Sequence, residues 1–237
     1  MKPILQSFYM FIRQITKDSM LVAVCAAPLL YALLFRYGIP YVELLLCDFF
    51  KEDRILVQYY LLFDLFLCLI TPYMFCFASS MVMLTEYDEN ITGYLAVTPI
   101  GKKGYILSRL LIPCVISFFA SLLLIGWFSL TYWTLGMALI TCFLTSILCI
   151  AISLLLFSFS HNRVEGMAMA KLSGLLMLGL PVPFFLVSKV QYLFSPLSSF
   201  WIAKMCFEEN FLFLLPAILT SLIWILLLYQ KFERKIR

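Results

Sequence analysis

The chain has 237 residues, of which 64% are hydrophobic, 17% aromatic and 13% charged, with a formal net charge of +4 and a mean hydropathy of +1.01. No water-soluble domain of this size could carry that composition on its surface, so the sequence describes an integral membrane protein.

A helix needs about 20 apolar residues to cross the hydrocarbon. Ahead of the first such stretch, Ile4, Phe8, Phe11, Ile12 and Ile15 recur at three- and four-residue spacing, with Gln6, Arg13 and Lys17 elsewhere. That pattern predicts an amphipathic helix over residues 1–18 lying in the membrane interface. Met20–Tyr37 begins well inside the chain and is followed by no small-residue cleavage site, so it is read as a true span and not a signal peptide. Val57–Leu84 is longer than a span requires and carries Pro72, which predicts a tilt or kink.

Residues 85–104 interrupt the apolar pattern. Thr85 is placed to cap a short helix whose first turn holds Glu86, Asp88 and Glu89, and Gly93 and Pro99 punctuate the path back to the membrane. Lys102, Lys103 and Arg109 mark re-entry. Leu107–Leu130 and Leu135–Phe157 follow as the third and fourth spans. The fifth, Leu172–Val187, is short and contains Gly174, Gly179, Pro181 and Pro183, so it is expected to break, with residues 184–210 forming short outer helices that re-enter the outer leaflet. Phe211–Tyr229 is the sixth. The whole of residues 1–237 is then one all-α transmembrane domain.

An even number of spans puts both termini on one face. That face holds Lys2, Arg13, Lys17, Lys102, Lys103, Arg109, Arg163, Lys171, Lys231, Arg234, Lys235 and Arg237, twelve of the 17 basic residues, while Arg36, Lys51, Arg54, Lys189 and Lys204 fall on the other. Basic residues are retained on the cytoplasmic side, so both termini are expected there. The same asymmetry accounts for the net positive charge without a nucleic-acid partner.

The chain lacks the residues for chemistry of its own. None of its nine glycines begins a phosphate-wrapping Gly-x-x-x-x-Gly-Lys-Ser/Thr loop. His161 is the only histidine and falls in a polar loop with Asn162 and Arg163, which removes Ser-His hydrolase and His-metal schemes. The eight cysteines form no Cys-x-x-Cys pair, and only Cys47 and Cys206 fall in predicted outer loops, where they either pair or remain two separate thiols. No catalytic residue and no metal site is expected. Asp64 is the one carboxylate inside a span, and must be protonated, face water, or pair with a cation such as Arg36 or Lys189. A structural polar contact and a place in a transport pathway are both open to it.

The run Glu89-Asn-Ile-Thr-Gly93-Tyr94-Leu95-Ala-Val97-Thr98-Pro99, preceded by Glu86 and Asp88, resembles the coupling segment of type-2 permease subunits of ATP-binding-cassette exporters, especially the small six-span permeases of bacterial drug-export systems. There the usual pattern is Glu-x-x-x-Gly-x-Leu-x-x-Leu-x-Val-Thr-Pro; here Tyr94-Leu95-Ala96 replaces part of the apolar run. Ser195–Lys204 likewise looks like that family's outer segment of proline, aromatics and a lysine before the last span.

The resemblance implies a subunit of the bacterial cytoplasmic membrane that works as a dimer with itself or a sibling permease. It would be driven by two separately encoded ATPase subunits that bind ATP and Mg, with no cofactor in this chain. Glu86, Asp88, Glu89, Gly93, Tyr94, Leu95, Thr98 and Pro99 would dock on the ATPase. The second and fifth spans would line the pathway, with Asp64, Pro72, Phe75 and Pro181 as candidates. The 23 phenylalanines and 11 methionines fit a hydrophobic or amphipathic cargo, a drug, lipid or peptide, although lipid contact alone also accounts for them. The alternative is a non-transporting immunity or sensor module that binds a peptide at its outer loops.

Overall fold

In hydrocarbon a backbone must satisfy its own polar groups, and helices do so within one segment. The computed structural model describes residues 2–91, 101–186 and 188–236, and all regular elements among them are helical. The helix expected over residues 1–18 is α1 (Lys2–Lys17), which buries Ser7 and Phe11 and turns Leu5, Tyr9 and Met10 outward. Asp18 then caps α2 (Ser19–Leu33), accepting from the amides of Met20 and Leu21.

The first span overruns its predicted end at Tyr37. A widened π-helical turn, Leu34–Gly38, joins α2 to α3 (Ile39–Phe50), giving a 32-residue apolar helix, Ser19–Phe50, about 48 Å long at 1.5 Å per residue. Pro40 does not end it, because it lies in the first turn of α3, where the missing N–H is least costly. Lys51, in the left-handed region, reverses the chain, and the buried Glu43 accepts from the amides of Ile55 at 2.8 Å and Leu56 at 2.6 Å to hold the returning loop.

The second span is the centre of the molecule. Helix α4 (Tyr60–Asp88) packs against α2, α6 (Ile112–Phe128), α7 (Leu135–Phe159) and α8 (Arg163–Ser173), and no residue from Tyr60 to Tyr87 is exposed. Short α5 (Gly101–Ile106) and a second π-helical turn, Leu107–Leu111, lead into α6.

Two interior prolines are accommodated in the same way. Proline has no N–H to give the carbonyl four residues back. For Pro72 that carbonyl belongs to Cys68, which accepts from the Ser121 hydroxyl of α6 at 3.1 Å. For Pro113 it belongs to Arg109, which accepts from the Ser79 hydroxyl of α4. Each freed carbonyl thus becomes a bond between α4 and the helix of the third span, and α4 stays helical through Pro72.

Among the described residues, five helices are long and apolar enough to cross a membrane: Ser19–Phe50, Val57–Asp88, Gly104–Phe128, Leu135–Phe159 and Phe211–Lys235. The fifth predicted span is not continuous. Helix α8 gives way to a 3-10 segment, Gly174–Gly179, then to α9 (Val182–Phe185), a 3-10 turn at Lys189–Phe194 and α10 (Ser198–Phe207) before α11 (Leu214–Ile236). Gly174, Gly179, Pro181 and Pro183 break it where the sequence places them.

Gly179 has a second role, since a Cβ there would lie 2.3 Å from the Ser199 hydroxyl and 2.5 Å from the Phe200 amide nitrogen of α10. Gly179→Ala is therefore expected to lower stability by about 1–3 kcal/mol, read as a drop in melting temperature in detergent. An unchanged melting temperature would show that α10 can retreat freely.

Lys204 lies in the same region. It is 2% exposed and donates to the Tyr192 hydroxyl at 2.7 Å, with its ammonium over the rings of Tyr192, Phe213 and Phe200 and 3.5 Å from Glu208. An aromatic cage with one carboxylate replaces water around a buried cation. Cys47 and Cys206 are both free thiols; Cys206 lies in α10 against Thr141, not in a loop.

Candidate coupling site at the foot of the second span

Helix α4 does not stop at Leu84. Nothing from Leu84 to Asp88 breaks a helix, and the Thr85 hydroxyl bonds back to the Met81 carbonyl at 3.0 Å, so Thr85 sits in mid-helix and is not the cap of a new one. The chain turns only at Asn90, which takes a left-handed conformation. Glu86 and Asp88 consequently occupy the last turn of α4, where the helix dipole disfavours carboxylates by about 0.3–1 kcal/mol each. Helix stability does not explain their presence.

The two carboxylates have different surroundings. Asp88 and its neighbour Glu89 are exposed. Glu86 is 1% exposed and paired with Arg109, also 1% exposed, through Nη2 at 2.6 Å and Nε at 3.1–3.2 Å. The Glu86 carboxylate therefore does not present itself for docking as the sequence suggested; the guanidinium, brought inward on the π-helical turn, takes it up. Arg109 also donates through Nη1 to the Ser7 carbonyl at 2.9 Å and to the Ser7 hydroxyl at 3.3 Å, and stacks on Phe11 at 5.1 Å. Ser7 and Ser108 share a further bond at 3.2 Å. One buried ion pair thus ties the foot of α4, the start of the third span and the interfacial helix together.

Two more contacts secure this end of the bundle. Asp18 pairs with Arg163 at the start of α8. Partial burial raises the Asp18 carboxyl, but the Arg163 hydrogen bond and charge, with the amides of Leu21 and Met20, outweigh it and hold the group below its usual value. Lys235 of α11 donates to the carbonyls of Phe157 at 2.6 Å and Ser160, and lies 4.5 Å from the Tyr87 ring centroid. Sequence reading placed Arg109 only at the membrane edge and gave Ser7 and Lys235 no contact role. The available signal was an arginine inside a span, which must find a partner.

The remaining expectations divide. Gly93, Tyr94, Leu95, Thr98 and Pro99 lie outside the described residues. Asp64 is buried and pairs with neither Arg36 nor Lys189. It accepts from the amides of Leu130 and Thr131 at 2.9 Å, the Thr131 hydroxyl at 2.6 Å and the Trp133 indole at 3.0 Å. Donors on the loop between α6 and α7 replace the expected cation, while Arg36 donates to Ser129 of that loop at 2.7 Å. Pro72 is buried in α4 and Pro181 half-buried in the broken span. Phe75 lines a wholly apolar groove of about 210 Å³ between α1, α2, α4 and α6, with Phe8, Phe11, Ile12, Ile15 and Pro113. The structure does not bring these four pathway candidates together.

No curated protein and no solved structure matches the chain. A family model described as "Fluoroquinolones export permease protein Rv2686c-like" matches residues 11–229, so the chain belongs to the Rv2686c-like family of type-2 ATP-binding-cassette export permeases and is not a catalytic enzyme.

Proposed function

We propose that this chain is the membrane-spanning subunit of an exporter that moves an amphipathic, aromatic substrate of the fluoroquinolone kind out of the cytoplasm. Two ATPase subunits would power it, and a second copy or a sibling permease would complete the dimer. Both termini and the foot of α4 would face the cytoplasm of a bacterial cell. The family description supports the cargo, and the clustering of Asp18, Glu86, Arg109, Arg163 and Lys235 contacts at one end of the bundle supports the orientation. The immunity or sensor alternative gains no support from the family.

The observation that carries the coupling proposal is the contrast at the foot of α4, where Glu86 is locked to Arg109 while Asp88 and Glu89 are exposed. A lever needs a rigid arm and an accessible end. Glu86 belongs to the arm in this reading, while Asp88 and Glu89 offer charge to the ATPase and Tyr94 and Leu95 offer apolar contact. ATP-driven closure of the ATPases would press on this segment, and the Arg109 junction would pass the displacement to the third span and α1.

Reversing charge with Asp88→Lys and Glu89→Lys together is expected to release the ATPase or to uncouple hydrolysis from transport, with the melting temperature nearly unchanged. Co-purification of the ATPase at wild-type stoichiometry together with wild-type drug efflux would rule the docking role out.

A further inference from the structure

At the same end of the bundle, Leu227, Gln230, Lys231, Arg234 and Lys235 recur at three- and four-residue spacing along one face of α11. They form one wall of a crevice of about 500 Å³ whose other wall is Tyr87, Ser158 and His161. Glu233 does not line it. None of the three cations enters a salt bridge among the described residues. Lys231 rests on the Phe159 ring, 3.3 Å from its centroid, and Lys235 is held by backbone carbonyls, so both ammonium groups are fixed at the crevice. Asp88 and Glu165 lie within electrostatic reach of Lys235 and offset part of its field.

A second observation points to an absent acceptor. Most buried serines on these helices find an acceptor, either within their own helix, as Ser80, Ser146 and Ser221 do, or across to another, as Ser79 and Ser121 do. Ser158 is 7% exposed, and its hydroxyl has no hydrogen-bond partner among the described residues. A buried hydroxyl without an acceptor, beside these cations, has the donor set of a phosphate site.

The surroundings indicate the source of that phosphate. Leu227 continues toward the middle of the span as an exposed apolar strip of Leu226, Ile223, Leu222 and Leu219. An acyl chain lying along this strip would bring its headgroup to Lys231 and Arg234, one to two turns beyond Leu227. Free phosphate would engage the cations but gain nothing from the strip. The geometry points to a binding site for an anionic phospholipid, with the phosphodiester held by Lys231, Arg234 and Ser158.

The test is a thermal-shift titration of the full chain in zwitterionic detergent with dioleoylphosphatidylglycerol, dioleoylphosphatidylcholine and inorganic phosphate. Saturable stabilisation by phosphatidylglycerol alone is expected. Lys231→Gln with Arg234→Gln should weaken it about 10- to 30-fold, at about 1 kcal/mol per basic residue. Ser158→Ala should weaken it about fivefold. Should the double variant fold poorly, the single Arg234→Gln, at an exposed position, gives the same comparison with about a fivefold effect. Equal responses to the two lipids, or a variant that keeps the wild-type response, would overturn the site. Stabilisation by inorganic phosphate equal to that by phosphatidylglycerol would overturn the lipid assignment in favour of a soluble ligand.

Discussion

Arg109→Ala is expected to destabilise the folded protein by about 3–5 kcal/mol, because it leaves the Glu86 carboxylate buried without a partner. For a chain of this size that is a fall of about 6–20 °C in melting temperature. Three separate losses contribute: the bidentate ion pair, the bonds to Ser7, and the stacking on Phe11. Glu86 also sits in the last turn of α4, where only the guanidinium offsets its opposition to the helix dipole.

The double change Glu86→Gln with Arg109→Met removes both charges, and it should cost less than Arg109→Ala alone. Melting curves of the three proteins in one detergent decide the matter. If Arg109→Ala melts within two or so degrees of wild type, about 1 kcal/mol or less, the junction does not hold the foot of α4.

Asp64→Ala is the second large effect. The carboxylate accepts from four donors, and its removal would strand the amides of Leu130 and Thr131, the Thr131 hydroxyl and the Trp133 indole at the end of the bundle. Stranded buried donors cost about 1–3 kcal/mol each before water reaches them, so a net loss of about 3–5 kcal/mol is expected. Asp64→Asn should recover part of this, since it keeps one acceptor oxygen but turns an N–H₂ group toward donors.

Transport per folded molecule should stay near wild type in both variants, because the four bonds that Asp64 accepts brace the loop after α6. A fall in turnover with an unchanged melting temperature would place Asp64 in the transport pathway after all.

The amino-acid sequence by itself determined the class, since apolar runs of about 20 residues leave few alternatives to membrane helices. It also located the interfacial helix, the interruption after the second span and the break at Gly174–Pro183, because those signals are local: periodicity, charge and helix breakers. The resemblance of residues 86–99 to a coupling segment rests on local residues too, although residues 92–100 lie outside the described part of the structure.

What only the tertiary structure decided depends on contacts between residues far apart in the chain. Glu86 and Asp88 look alike in sequence, yet one is buried because Arg109 comes in from the next span and the other stays exposed. Pro72 reads as a tilt or kink, and only the packing shows that Ser121 takes the carbonyl it frees, as Ser79 does for Pro113. Asp64 called for protonation, water or a cation, and a loop 66 to 69 positions away supplied neutral donors. Local sequence shows that a buried polar group needs a partner; only the packing of the helices determines which residue provides it.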